Sequence, residues 1–162
     1  MMTYIIKHSD ILGMCEAVPF FLKQYAELIE NGHAHPYCTW SNSNRCVYAT
    51  IDNKVVGCIV YDYSKITRMI WIILSAVDDK FRKIGIYTQM HAELERQAKK
   101  LDAKKIASHV HVDNTVRQAS CKKIGLKPEF IRMVKHLTPD GKPFRAGNPT
   151  PMSDLDDFKY SL

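Results

Sequence analysis

The sequence has little of what marks secreted, metal-binding or membrane-spanning proteins. It has only five cysteines, and their odd number and the lack of any C-x-x-C pair argue against a disulfide framework or a zinc knuckle. The longest apolar run, Met69–Val77, is too short to cross a bilayer and has the length of a buried strand. The N-terminus reaches charged residues early and has no cleavable apolar segment. We therefore predict a cytoplasmic protein with no membrane partner and no metal site.

The composition is that of a chain that can bury a core and attract anions. A length of 162 residues, with 46% of them hydrophobic, fits one compact domain. Lys and Arg outnumber Asp and Glu by 23 to 17, which favours nucleotides, phosphate groups or acidic partners as ligands. This excess suits a phosphorylated cofactor as well as nucleic acid, but the basic residues form no dense block of the kind expected in a nucleic-acid-binding arm.

Hydrophobic periodicity and turn residues predict an α/β domain. The predicted strands span residues 3–7, 45–50, 55–63, 66–77, 105–112 and 130–137. The predicted helices span residues 11–30, in two pieces divided near Pro19, then from the polar loop after Val77 to about Asp102, and from a cap at Asp113 or Asn114 to Lys123. This order implies a mixed, mostly antiparallel central sheet with helices on both faces. Residues 1–137 would form the domain, and residues 138–162 an extended tail.

The polar loop that follows Val77 has the properties of an anion site. It leads from a buried strand into the start of a helix, where unpaired amides and the helix dipole point at a ligand together. Gly85 lets a phosphate approach the backbone, while Arg82 and Lys83 add positive charge. The alternative is a plain connection between strand and helix, since one glycine in a basic turn is a weak motif.

Two motifs in this part of the chain resemble those of the GCN5-related N-acetyltransferase (GNAT) superfamily. The segment Arg82-Lys83-Ile84-Gly85-Ile86-Tyr87 is similar to the signature Q/R-x-x-G-x-G/A, with Tyr87 standing where the family has a small residue. Asn114, followed by Gly125-Leu126, is similar to a second signature after the fifth strand. The resemblance covers the element order from Thr3 to about Leu137. It implies an acyl-CoA N-acyltransferase-like fold.

The resemblance also implies how acetyl-CoA, or another acyl-CoA, would bind. Backbone groups near Ala76 and Val77 would pair with the pantetheine arm, and the Asn114 side chain would reach the same region. The amides that would hold the pyrophosphate are those of Arg82, Lys83, Ile84, Gly85, Ile86 and Tyr87. Each assignment has a structural alternative: Val77 also ends a core strand, and Asn114 also suits a helix cap.

The sequence departs from the family pattern at the catalytic positions. The family usually has a Tyr seven residues after the Asn, where it protonates the departing thiolate, but this chain has Cys121. A thiol is a weak donor, so packing in the core is the favoured role for Cys121. Residues 66–77 contain no carboxylate, although many family members use a Glu on the fourth strand as the base. His109 and His111, two residues apart on the predicted fifth strand, share a face and are the candidate bases, the alternative being that they are partly buried polar residues at a strand edge.

The loop of residues 33–44 is expected to lie on the acceptor side, as the resemblance implies. His33, His35 and Cys38 have the residue types of metal ligands, but their spacing matches no common zinc pattern, and an ordinary surface loop is favoured. Trp40 and Tyr37 could shape the choice of substrate or simply pack the loop against the domain.

These features predict transfer of an acyl group, in the first instance acetyl, from coenzyme A to an amine. Direct attack within a ternary complex would give rate through positioning. The acceptor would be a small molecule or a protein amine. The alternative is a catalytically degenerate protein of the same fold that binds or has a structural role. The net charge also leaves open a nucleic-acid-bound acceptor such as a charged tRNA, and the sequence leaves open a homodimer.

Overall fold

The structure is a computed structural model that describes residues 3–33 and 39–130. Its strands are β1 (Ile5–Ser9), β2 (Arg45–Ile51), β3 (Lys54–Ser64), β4 (Met69–Val77) and β5 (Lys105–Ser108). Its helices are α1 (Val18–Glu30), α2 (Ile86–Lys100) and α3 (Thr115–Lys123), with single 3₁₀ turns at Leu12–Met14 and Asp79–Phe81. The strand predicted at residues 130–137 and the tail predicted at 138–162 lie outside the described residues, apart from Phe130, which is not in a strand.

The described strands form one mixed sheet in the order β1-β2-β3-β4-β5. The first four are antiparallel to their neighbours, and β5 runs parallel to β4 after the crossover through α2. The predicted hairpin between β2 and β3 is confirmed. Its turn residues Asp52 and Asn53 have φ of 47° and 60°, the left-handed values that a tight hairpin needs and that Asp and Asn tolerate well.

Apolar residues on both faces of the sheet attach the helices, so the predicted α/β architecture is confirmed. Ile86, Met90 and Leu94 are spaced by four and place one buried stripe of α2 on the sheet. This core includes Val47, Ile59, Ile70 and Ile72 from the strands. The opposite face packs against α1 through Leu12, Ala17, Phe21, Cys46, Cys58, Val60 and Leu74. Pro19 lies in the first turn of α1, as predicted.

Two predicted strands are shorter in the structure. The strand predicted at residues 66–77 begins only at Met69, because Ile66 lies in the turn after β3 and is 96% exposed. The strand predicted at residues 105–112 ends at Ser108, so His109 and His111 follow β5 instead of lying on it. The cause is register: Ser108 pairs with Ile72, and the described part of β5 has no pairing with β4 beyond that point. Apolar character alone does not show where a partner strand ends.

The end of this pairing opens the sheet between β4 and β5. β4 continues from Ile73 to Val77 and stays paired with β3 on its other edge, with a register irregularity opposite Val60 and Tyr61. The β5-side edge of residues 73–77 therefore has no strand partner among the described residues. Backbone groups on such an edge need another hydrogen-bonding partner or water.

Candidate functional site

The loop between β4 and α2 is folded by its own side chains. The carboxylate of Asp78 accepts a hydrogen bond from the Lys80 backbone N–H at 3.0 Å. The Arg82 Nε donates to the backbone oxygen of Val77 at 3.1 Å, and its guanidinium also pairs with Asp79. Arg82 thus ties the loop back to the end of β4. Its charge is shared with Asp79, which makes it a weaker phosphate ligand than the sequence suggests.

The N-terminus of α2 has a row of free amides. The first hydrogen bond of the helix runs from Gln89 N–H to the Gly85 oxygen. The backbone N–H groups of residues 83–88 donate to no other group within the described part of the chain. The N-cap residue is Gly85, which has no side chain that could accept a hydrogen bond from them. Positive partial charge accumulates at such a helix start. This row is therefore suited to an anion.

Gly85 allows close approach to these amides. Its φ is 91°, a left-handed conformation that costs other residues energy. A Cβ placed at residue 85 would meet only the Tyr4 hydroxyl, at an ordinary distance of 3.6 Å. The space over the backbone is therefore open. Lys83, two residues before Gly85, also has a left-handed φ, of 66°, and its side chain is exposed.

The open edge of β4 presents the other part of the predicted cofactor site. Val77 is 8% exposed and packs in the core toward α2, while Ala76 packs against the opposite core. Their side chains are structural, so any cofactor contact there would come from the backbone. The Ser75 Oγ is buried and makes no hydrogen bond among the described residues. A buried hydroxyl with no partner is costly, which marks the place for a further polar group.

Tyr87 lies at the contact between α2 and α3, next to this opening. Arg117 from α3 donates to the Tyr87 hydroxyl, and its guanidinium carbon is 5.3 Å from the centroid of the tyrosine ring. A second nitrogen of Arg117 is 3.5 Å from the Ser108 Oγ. Burial raises the pKa of the Tyr87 hydroxyl, and the positive charge of Arg117 only partly opposes this effect.

Asn114 caps α3, as one of the two sequence interpretations predicted. Its Oδ1 accepts a hydrogen bond from the Arg117 N–H at 3.0 Å. The cap sits in the turn that follows His111, whose backbone oxygen accepts from the Asn114 N–H. The amide nitrogen of the Asn114 side chain has no bond to another described residue, so the cap leaves a donor for a ligand.

Cys121 is buried inside α3, with 6% of its surface exposed. Burial raises the pKa of its thiol, and Arg117 opposes the shift only partly. A neutral, buried thiol fits the packing role better than that of a proton donor, because its S–H is a weak hydrogen-bond donor.

The two candidate histidines occupy separate environments. The His109 imidazole is stacked on the indole of Trp71, with ring centroids 4.9 Å apart and planes 9° from parallel. His111 instead lies 5.3 Å, between ring centroids, from His33 at the end of α1. The expectation that they share one face of β5 was wrong, since neither belongs to the strand. The Nδ1 of His111 accepts from the Asp113 N–H at 3.2 Å, so its lone pair is occupied.

The loop of residues 33–44 is only partly described. Trp40 packs its ring edge-on against Phe21 at 5.1 Å, so it anchors the loop to α1. His33 belongs to the described residues, whereas Tyr37, His35 and Cys38 lie outside them. Within the described ranges, no three His, Cys, Asp or Glu side chains are grouped as metal ligands would be.

Sequence reasoning missed several residues that line this region. Trp71, Ser75, Ser108 and Arg117 were not singled out. Their roles depend on contacts between distant parts of the chain: Trp71 and His109 are brought together only by the pairing of β4 with β5. The one local signal for Arg117 is its position three residues after the predicted cap Asn114, where its backbone N–H can bond to the cap.

Comparison with known proteins gives matches in sequence and in structure. A family profile described as the acetyltransferase (GNAT) family matches residues 9–126. Curated protein sequences give no match. Among solved structures, a ribosomal-protein-alanine N-acetyltransferase from Brucella melitensis biovar Abortus 2308 has a TM-score of 0.62 and 14% identity, covering 84% of this chain and 100% of that one.

Two further structures show the same fold. The aminoglycoside N-acetyltransferase AAC(6')-Iy in complex with CoA has a TM-score of 0.59 and 18% identity, over 83% of this chain and 100% of that one. The aminoglycoside acetyltransferase meta-AAC0020 from an uncultured soil metagenomic sample, in complex with sisomicin, has a TM-score of 0.59 and 10% identity, over 83% and 97% of the two chains. In the described ranges, no helix has the length and apolar character to cross a membrane.

Proposed function

This chain belongs to the acetyltransferase (GNAT) family, and we propose that it transfers an acetyl group from acetyl-CoA to the amine of a small molecule or protein. The observation that carries the proposal is the opening between β4 and β5 next to the free amides of α2. One end of this site suits a pyrophosphate, and the other end offers an unpaired strand edge to a pantetheine arm.

Several polar groups fit such a ligand. The amides of residues 83–88 would hold the pyrophosphate, with Lys83 adding charge and Gly85 leaving room for the phosphates. The backbone of Ala76 and Val77 would pair with the amides of the arm. The buried Ser75 hydroxyl and the free side-chain amide of Asn114 provide polar partners that the described protein groups leave unused.

His109 is the base that the geometry favours. It lies against Trp71 on the face of β4 opposite α2, because Ile70 and Ile72 alternate with Trp71 and pack toward that helix. Stacking fixes the plane of the imidazole, and a neutral imidazole can take the proton that the attacking nitrogen loses. His111 is disfavoured because the Asp113 N–H already occupies its Nδ1.

The same face supplies a carboxylate for a cationic acceptor. Asp62 on β3 is the cross-strand partner of Trp71, and it is exposed. Partners directly opposite each other point to the same face of the sheet. An ammonium group drawn to Asp62 would therefore arrive beside His109. The structural neighbours are named for aminoglycosides and for alanine of a ribosomal protein, and a free amine of either kind would carry such a group.

A two-stage experiment tests the proposal. Calorimetric titration with acetyl-CoA is expected to show saturable binding, and a thiol-release assay is then run on a panel of aminoglycosides, polyamines and peptides with free N-termini. Thiol release with at least one amine, and none without amine, is the expected result. Absence of binding at millimolar acetyl-CoA would refute the proposal. Binding without turnover on any acceptor would favour the degenerate binding protein, which the missing β4 carboxylate and Cys121 already suggest.

A further inference from the structure

The Tyr87 hydroxyl has a specific place in the proposed site. It lies where α2 meets α3, held by Arg117, whose guanidinium also reaches toward the Ser108 Oγ. Ser108 is the last β5 residue paired with β4, opposite Ile72. Only the Arg117 side chain therefore lies between the phenol of Tyr87 and Ser108, where the two strands separate.

Resting on the acetyl transfer proposed above, we propose that Tyr87 is a catalytic residue that gives its phenolic proton to the sulfur of the departing coenzyme A. The amine attacks the thioester carbonyl carbon and forms the carbon–nitrogen bond, and the carbon–sulfur bond then breaks with its electron pair on sulfur. The nitrogen loses its proton to His109. The Tyr87 proton goes to sulfur, and the phenolate that remains regains a proton from solvent.

Hydrogen bonding leaves the Tyr87 proton available. Arg117 donates to the phenolic oxygen, so this contact uses a lone pair and not the proton. No acceptor among the described residues takes the O–H of Tyr87. Arg117 forms no ion pair with a carboxylate in the described ranges, so its charge is available to stabilise a phenolate.

The protonation state of Tyr87 suits an acid. Because burial raises its pKa more than Arg117 lowers it, the phenol keeps its proton at neutral pH until an acceptor arrives. Ser75 is close enough to oppose this rise in the pKa, although its Oγ makes no hydrogen bond among the described residues. Its Oγ is a second donor that could stabilise the phenolate after proton transfer.

The neighbouring thiol is the weaker candidate. Cys121 on α3 lies near enough to affect the pKa of Tyr87, so the two side chains share one region. A large residue on α2 faces a small one on α3 here. Of the two, the phenol is the better hydrogen-bond donor, and the raised pKa of the buried Cys121 does nothing to change that order.

A binding cycle tests contact with sulfur without needing the acceptor. Coenzyme A and desulfo-coenzyme A, which lacks the sulfur, are titrated into the wild-type protein and into Tyr87→Phe, which keeps the ring. We expect the substitution to weaken coenzyme A about three- to tenfold, the effect of one lost hydrogen bond, and to leave desulfo-coenzyme A unchanged. Cys121→Ala, run as a control, is expected to show no such difference between the ligands.

Turnover provides the second measurement, on any amine that proves to be an acceptor. Tyr87→Phe is expected to lower kcat about a hundredfold while the KM for acetyl-CoA stays within about threefold, as expected for loss of a general acid. Tyr63→Phe is the matched control, because it removes another part-buried tyrosine hydroxyl. That hydroxyl donates to the Leu101 oxygen, away from the site.

The outcomes separate this inference from the function on which it rests. If neither ligand binds the wild-type protein, the proposed function and the role of Tyr87 are both overturned. If both ligands bind and Tyr87→Phe weakens them equally, or weakens neither, Tyr87 does not touch the sulfur and only the inference is overturned. A kcat for Tyr87→Phe within about threefold of wild type would overturn it as well.

Discussion

His109 lies flat on Trp71, with the ring centroids 4.9 Å apart and the planes only 9° from parallel. Trp71 belongs to β4, and His109 is the first residue after β5. The contact therefore places an imidazole beside the opening between these strands, in a chain whose β4 has no carboxylate of its own. The stacking thus holds the imidazole of His109, which we proposed above as the base, in one orientation.

We predict that His109→Gln lowers kcat by about a hundredfold or more, the range expected for loss of a general base. His111→Gln is the matched control and should change kcat little, because the Nδ1 of His111 is already bonded. The pH profile of kcat/KM should lose its acidic limb in His109→Gln alone. Equal effects of the two substitutions would contradict the assignment.

Gly85→Glu is expected to weaken acetyl-CoA binding at least tenfold by placing a carboxylate over the amides that would hold the pyrophosphate. Gly85→Asn is the control, since Asn tolerates the left-handed φ of 91° better than most residues and adds no charge. Both variants should fold, with stability losses of about 1 kcal/mol, because a Cβ finds open space there. Calorimetry and thermal melting check the two effects separately. If Gly85→Glu binds acetyl-CoA as tightly as the wild type, the cofactor does not bind at these amides.

Substitutions at Asn114 separate its cap from contact with a cofactor. Asn114→Ala should cost about 1 kcal/mol of unfolding free energy, because the Arg117 N–H loses its acceptor. Asn114→Asp keeps the cap, removes the side-chain NH₂ donor and adds a negative charge that a helix N-terminus accommodates, so its stability should at least match that of the wild type. A weaker affinity for coenzyme A in Asn114→Asp is expected from the lost donor and from the added negative charge. If affinity is unchanged, the residue is a cap and nothing more.

Cys121→Ala is expected to keep turnover and to lower the unfolding free energy by about 1 kcal/mol, the cost of a small cavity. Cys121→Ser should cost about 1 to 3 kcal/mol, because it buries a hydroxyl in a site shaped for sulfur. Chemical denaturation and the thiol-release assay check both variants. A hundredfold fall in kcat for Cys121→Ala would show that the thiol acts in catalysis.

We predict that the protein loses stability in mild acid because His91 is buried. Its ring is buried on α2 with Nδ1 3.2 Å from Glu95, and burial lowers its pKa below 6.5 although Glu95 opposes the shift. Below pH 6.5 the unfolded chain binds a proton that the folded chain does not, so stability falls as the pH drops toward the folded pKa. Above pH 6.5 both states are neutral, and this contribution disappears.

Urea unfolding at pH 7.5 and pH 5.5 measures the effect. We expect His91→Gln to reduce the difference in unfolding free energy between the two pH values relative to wild type. A residual difference in the same direction should remain, because burial also lowers the pKa of His8. An identical pH dependence in the variant would exclude His91 as a contributor.

Sequence by itself determined the features that depend on neighbours along the chain. The spacing of Ile86, Met90 and Leu94 predicted the buried side of α2, and Pro19 predicted the first turn of α1. The glycine at position 85 and the cap at Asn114 were also visible, because helix starts are set by the residues next to them. The motifs around these two helix starts were enough to identify the family.

Only the tertiary structure decided the contacts that connect distant segments. It ended β5 at Ser108, because strand length depends on the register with β4, and it thereby removed His109 and His111 from the strand. It turned Arg82 back onto Val77 and joined Arg117 to Tyr87, 30 residues away. No local pattern encodes such pairings, since they follow from how helices and strands pack after each has formed.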